Sequence, residues 1–144
     1  MSDKDPMDVE GCIEAINAVL PLQYRSAIAY THAAAAVKGY TFHGVVASVR
    51  DFAAAELADA RHLAEKVSTL GGVPACTVAG IEHHDDPDAM LEWLIAAETE
   101  CIEGLQDVIP HTGQEGRSEA LEHRLEHIIM RKQEQVDLLV RARG

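Results

Sequence analysis

GGVPACTVAGIEHHDDP, from Gly71 to Pro87, is the stretch that decides the architecture. A glycine pair ends the element before it, and Asp86-Pro87 reads as the N-cap and first turn of a helix after it. Between them, Val73 to Asp85 carries no helical period. Extended chain covers about 3.3 Å per residue, so this segment reaches roughly 43 Å. A helix of about 28 residues is roughly 42 Å long. The segment is therefore just long enough to return along a whole helical bundle.

Working outward, the apolar spacing predicts four helices. The first runs from about Asp8 to Val37 and stops at Gly39, with Pro21 expected to kink it or break a turn. Thr41 is the expected N-cap of the second, which runs to Leu70. The third ends near Pro110 and Gly113. Ser118 is the expected cap of the fourth, which runs to about Ala142. The first and third connections are short, so each joins an antiparallel hairpin. The fold expected is all-α: one domain over residues 1–144, two antiparallel hairpins joined by a long crossover.

Composition narrows the function. The chain has 144 residues and a formal net charge of −12, a surface that repels phosphates and argues against nucleic acid as a partner. No run of about 18 apolar residues is present, so no membrane span is expected. The acidic start, MSDKDPMDVE, does not read as a secretory signal. Cys12, Cys76 and Cys101 form no CxxC pair. Reduced thiols in a cytoplasm are the simplest reading.

Each apolar stripe is interrupted near its middle by polar residues: Gln23 in the first helix, Glu56 and Asp59 in the second, Glu98 in the third, Lys132 and Gln135 in the fourth. If the bundle closes, these meet in one layer. Each residue also has an ordinary reading: Gln23 bonding a neighbouring helix, Glu56 reaching water from the stripe edge, Lys132 snorkelling outward. Four interruptions at one level argue for a shared site. Buried carboxylates need a cation or a proton, and that cation is either a metal or the Lys132 ammonium.

These residues carry a resemblance. LPLQYRSAIAY (Leu20–Tyr30), ELADARHLAEKVSTLGGVP (Glu56–Pro74), MLEWLIAAE (Met90–Glu98) and KQEQVDLL (Lys132–Leu139) resemble the ferritin-like superfamily, and most the bacterioferritin branch. The resemblance implies the crossover-linked bundle, a di-iron carboxylate centre and oxidation of Fe(II). It places Gln23 at a ligand glutamate and Tyr30 at the tyrosine seven residues on. Glu56 and Asp59 stand where E-x-x-H is usual, Glu98 is the single glutamate of the third helix, and Lys132 and Gln135 fall on a second E-x-x-H. Only Glu56 and Glu98 match outright, with Asp59 a plausible oxygen donor, so the ligand set is degraded. Protonated Lys132 is no ligand. Leu57 stands where bacterioferritins carry a haem-ligating methionine, so no haem is expected. A register shifted by two would bring Glu134 and Asp137 in as ligands instead. Starvation-induced mini-ferritins share VKG and LGG-x-P, but Arg61 opposes their intersubunit D-x-x-x-E pair, which Glu65 would otherwise complete.

The resemblance further implies self-association. A chain closing at Gly144 leaves no fifth helix, which favours a homodimer over a 24-subunit cage. His123 and His127, four apart, and the cluster His83 to Asp86 read first as solvated surface. Three functions remain open: an iron-binding and iron-oxidising ferritin-like protein, a metal-free pseudo-ferritin scaffold or partner-binding protein with a buried ion-pair layer, and a carboxylate enzyme using one metal or none.

Overall fold

Asp8 begins the first helix: its carboxylate accepts the Gly11 backbone N–H at 3.0 Å, relieving one of the free donors of the first turn. In the computed structural model, which describes residues 5–143, this helix is α1, Val9–Ala36. A single turn α2, Tyr40–His43, precedes α3, Val46–Thr69; α4 is Pro87–Gln106 and α5 is Gly116–Ala142. No strand occurs among the described residues. Met1 to Lys4, the beginning of the stretch MSDKDPMDVE, and Gly144 lie outside them. Among the described residues, no helix is long and apolar enough to cross a membrane.

The expected four-helix bundle with its long crossover is present, with corrections at the helix ends. Thr41 does not cap the second long helix. Gly39, at φ +123°, opens the separate turn α2, whose Phe42 is fully buried, and the chain re-aims at Gly44–Val45 before α3. The third long helix stops at Gln106, and Pro110 sits in a following 3₁₀ turn, Ile109–His111. Ser118 is buried inside the first turn of α5 rather than capping it. α1 continues through Pro21 as one element. The signals at Gly71 and Asp86 act as read. Gly71, at φ +94°, and Gly72 return N–H groups to the carbonyls of Ser68 and Val67 at 3.0 and 2.9 Å, a Schellman end for α3. Asp86 accepts the Ala89 N–H at 2.9 Å.

The crossover lies along α1. The Asn17 side chain holds the Val73 carbonyl at 3.0 Å and the Ala75 N–H at 2.8 Å. The Ala79 N–H reaches the Pro21 carbonyl at 3.2 Å, and His83 meets His32 at 2.8 Å. These ties span Asn17 to His32, about 22 Å of helix axis at 1.5 Å per residue.

Two apolar cores fill the bundle, one at each end. One gathers Cys12, Ile16, Leu20, Leu63, Leu105, Leu121 and Leu125. The other gathers Ala33, Phe42, Val49, Met90, Leu94 and Leu139. Between them lie the buried polar residues Gln23, Ser26, Glu56, Asp59, Glu98, Lys132 and Gln135. α1 packs closely on α3 and α4, and α4 on α5. α3 and α5 approach less closely, leaving a groove of about 880 Å³ lined by Phe52, Ala55, Arg131, Gln135 and Leu138.

Candidate functional site

The layer is built from the middle of each long helix, where the 3.6-residue period turns one or two polar side chains inward. α3 contributes Glu56 and, one turn on, Asp59. α4 contributes Glu98, α1 contributes Gln23 and Ser26, and α5 contributes Lys132 and Gln135.

Lys132 is at its centre and has no solvent exposure. Its Nζ donates to Glu56 Oε2, to Glu98 Oε1 at 3.1 Å and to Ser26 Oγ at 3.2 Å. An ammonium has three N–H groups, and each has a partner. Burial alone would lower the lysine pKa, but the carboxylates of Glu98 and Glu56 outweigh it and the net shift is upward. Lys132 is a buried, fully bonded cation.

Arg131, its neighbour in sequence, supplies a second cation that the sequence reading missed. Its guanidinium meets Glu56 Oε1 at 2.5 Å and grips Asp59 Oδ2 through Nη2 and, at 3.0 Å, Nε. Its side chain is 21% exposed, so it closes the layer on the side of the α3–α5 groove. Burial opposes its charge, but Glu56 and Asp59 more than offset that.

Gln135 completes the set. Its Nε2 donates to Glu56 Oε1 and Glu98 Oε2, both at 3.3 Å, and its Oε1 accepts from Arg131 at 2.5 Å. Gln23 Nε2 donates to the Glu56 carbonyl at 2.9 Å, and its Oε1 faces the Cys101 thiol at 3.6 Å. Burial pushes that thiol up to about 11, against the pull of Lys132, so it stays neutral. Ser26, also missed from sequence, donates to Glu98 Oε1. Burial, reinforced by the nearby Glu56 charge, raises the Glu98 carboxyl although Lys132 opposes it. Tyr30 is fully buried, with its hydroxyl beside Glu98 and Gln135 but bonded to neither. Burial, then the charges of Glu98 and Glu56, keep it protonated.

Three carboxylates thus face two protein cations. With all three ionised the layer carries one net negative charge, and in that setting burial raises the Glu98 carboxyl. Gln23, Glu56, Asp59, Glu98, Lys132 and Gln135 come together, with Tyr30 against them. Glu134 and Asp137, the ligands of a shifted register, lie exposed outside the layer. His123 and His127 are exposed on the outer face of α5.

This donor set does not fit two metal ions. The inner oxygens of Glu56 and Glu98 are turned to the lysine Nζ, and Asp59 is held by Arg131. Among the described residues, no group of three or more His, Cys, Asp or Glu is arranged to hold a metal.

Comparison with known proteins places the chain. The model of the ferritin-like domain matches residues 13–141. Among solved structures, a ferritin-like diiron-carboxylate protein of Bacillus anthracis str. Ames is 27% identical over 100% of both chains, with TM-score 0.86. A dodecameric thioferritin, the bacterioferritin-related protein of Bacteroides fragilis, is 21% identical over 94% of this chain and 86% of its own, with TM-score 0.82. An archaeal Dps homologue from Halobacterium salinarum is 19% identical, covering 98% and 88%, with TM-score 0.81. No curated protein matches the chain significantly.

Proposed function

The chain belongs to the ferritin-like domain family, and from that premise we propose that it is a metal-free member, its iron centre replaced by the cations of Lys132 and Arg131. Glu56, Asp59 and Glu98 are then vestigial ligands, and the protein acts as a helical scaffold rather than an iron oxidase. The observation that carries this reading is the ammonium of Lys132, buried between Glu56 and Glu98 with all three protons bonded. A divalent ion about 4 Å from a unit positive charge is opposed by about 8 kcal/mol at an effective dielectric near 20. That is enough to remove ordinary metal affinity.

The iron-binding reading is favoured by the B. anthracis diiron-carboxylate relative. It requires Lys132 to leave or lose its proton, against two carboxylates that hold it charged. Metal analysis of purified protein, with an aerobic Fe(II) oxidation assay, separates the two. The scaffold reading expects no iron at the layer and no oxidation above buffer. Two irons per chain would overturn it.

As a scaffold it is proposed to self-associate. Ile28 and Leu57 are large apolar side chains exposed on α1 and α3, beside a shallow hollow lined by Tyr24, Ala54 and Ala58. A homodimer through this face is the smallest unit, and the dodecameric relative makes a larger ring or shell the alternative. Light scattering reads the difference. The free thiols of Cys12, Cys76 and Cys101 support a cytoplasmic setting, and Leu57 supports the expectation of no haem.

A further inference from the structure

Away from the layer, His32 and His83 form an arrangement that the scaffold role does not use. His32 sits near the C-terminal end of α1 and is half-buried; His83 is on the crossover. His32 Nε2 and His83 Nδ1 face each other at 2.8 Å, with the rings edge to face at 85° and their centroids 5.0 Å apart. The other nitrogen of His83, Nε2, stands 2.8 Å from Asp85 Oδ1. A carboxylate accepts and cannot donate, so Asp85 holds a proton on His83 Nε2, and in the neutral ring Nδ1 is then a bare lone pair. His32 Nε2–H then donates to it. Two imidazole nitrogens from distant parts of the chain are thereby aimed at one point.

A carboxylate behind a histidine is the support that metal-ligating imidazoles commonly have, because it fixes the tautomer and raises the basicity of the ligating nitrogen. We propose that His32 Nε2 and His83 Nδ1 bind a divalent transition-metal cation, with Asp85 as the positioning residue behind His83 and water filling the remaining positions. On binding, the His32 proton moves to its own Nδ1 and the metal takes the place of the shared hydrogen. Zinc–nitrogen bonds of 2.0–2.1 Å at a tetrahedral angle place two ligand nitrogens about 3.3 Å apart. The rings must open by about half an ångström from their present contact. His83 lies in a segment without regular structure, so the crossover can supply that movement. Imidazole donors select Cu²⁺, Ni²⁺ or Zn²⁺ over Mg²⁺ and Ca²⁺, and the net charge of −12 concentrates cations at the surface. The bound ion would clamp the crossover to α1 near one end of the bundle.

The test is a Zn²⁺ titration of chelator-treated full-length protein, followed by calorimetry and by ¹⁵N NMR of the histidine rings. One equivalent of Zn²⁺ should shift His32 Nε2 and His83 Nδ1, while Mg²⁺ shifts neither. His32→Gln and His83→Gln should each weaken that binding by at least about tenfold, and Asp85→Asn by about tenfold, as loss of an outer partner does. His123→Gln with His127→Gln should leave it unchanged. His83, Asp85, His123 and His127 are exposed and His32 is half-buried, so a thermal melt of each metal-free variant separates loss of binding from loss of fold. Unaltered Zn²⁺ affinity in the His32→Gln/His83→Gln protein, or wild-type rings that keep their mutual hydrogen bond in excess Zn²⁺, would overturn the proposal.

Discussion

Replacing Lys132 with methionine keeps most of the side-chain volume and removes the charge. Glu56 and Glu98 are then left beside each other with no exposure to water, each short of its strongest donor. Breaking one side of a buried ion pair costs roughly 3–5 kcal/mol. Arg131 and Gln135 still reach Glu56, and Ser26 and Gln135 still reach Glu98. The lower half of that range is therefore expected, about 3–4 kcal/mol. For a domain of this size each kcal/mol moves Tm by roughly 2–4 °C, which gives a fall of about 6–16 °C. The loss should depend on pH. Glu98 already titrates above its ordinary value of 4.5 in the folded protein, and without Lys132 it moves higher. A carboxyl raised by folding contributes stability at low pH that is lost as pH rises through the folded value. The deficit should thus be smallest at acidic pH and grow toward neutral pH, as the pH rises through the raised folded value of Glu98. Lys132 itself, raised above 10.5, stays charged throughout this window. Urea denaturation of both proteins across that range measures the effect. Adding Glu98→Gln to Lys132→Met should flatten the pH dependence, since the carboxylates that remain, Glu56 and Asp59, are both paired with Arg131. A Lys132→Met protein within about 1 kcal/mol of wild type at pH 8 would refute the reasoning, because a buried pair broken on one side cannot be so cheap.

Arg131→Met should cost less, about 1.5–3 kcal/mol, the usual worth of hydrogen bonds to charged groups in a partly exposed setting; the same urea series reads it. Gln23→Glu, Lys132→Glu and Gln135→His together recreate the family ligand set except at Asp59, which keeps an oxygen donor; iron binding should appear only once Arg131 is also replaced by an uncharged residue, as measured by iron content after Fe(II) loading. Of the three thiols, only Cys76 is exposed; in a thiol-reagent assay it should react at once, and Cys12 and Cys101 only on unfolding. Gly71→Ala places a side chain at φ +94° and should destabilise the end of α3 by about 1–2 kcal/mol, seen as a lower thermal midpoint by circular dichroism.

The fold was legible because its decisive feature is a length. Val73 to Asp85 can be counted, and no side-chain contact is needed to see that it spans a bundle. Its ends were equally clear, since Gly71-Gly72 and Asp86-Pro87 act through local backbone chemistry. The misread boundaries share one cause. Thr41 and Ser118 have the right side chains for caps, but tertiary packing overrode them: Phe42 is drawn into the core and pulls α2 out of line, and Ser118 is carried inward by the first turn of α5. The site was half legible. Lys132 interrupts an apolar stripe and so announces burial, whereas Arg131 lies one residue, about 100° of helix rotation, off that stripe. Its arm is long enough to reach back into the layer, and a periodicity argument that follows only Cα directions does not register such reach. Ser26 is small and sits among alanines, and its hydroxyl gains meaning only once Lys132 Nζ is known to be 3.2 Å away.

On the proposed metal-free reading, the consecutive placement of Arg131 and Lys132 lets one helix stand in for a two-ion centre. Successive residues on α5 point about 100° apart. Lys132 therefore enters the bundle axis while Arg131 approaches from the α3–α5 groove. The lysine takes the oxygens shared by Glu56 and Glu98, and the arginine takes those of Glu56 and Asp59, so Glu56 bridges the two cations. Gln135, three and four residues on, lies one turn along the same face and joins both carboxylates to the guanidinium. Arg131, Lys132 and Gln135 come from one five-residue window of α5, while α3 keeps Glu56 and Asp59 and α4 keeps Glu98. Under that proposal the exchange needs no change in backbone: the chain has the fold of a relative named for diiron-carboxylate chemistry, and the cations facing its carboxylates are covalently part of the protein.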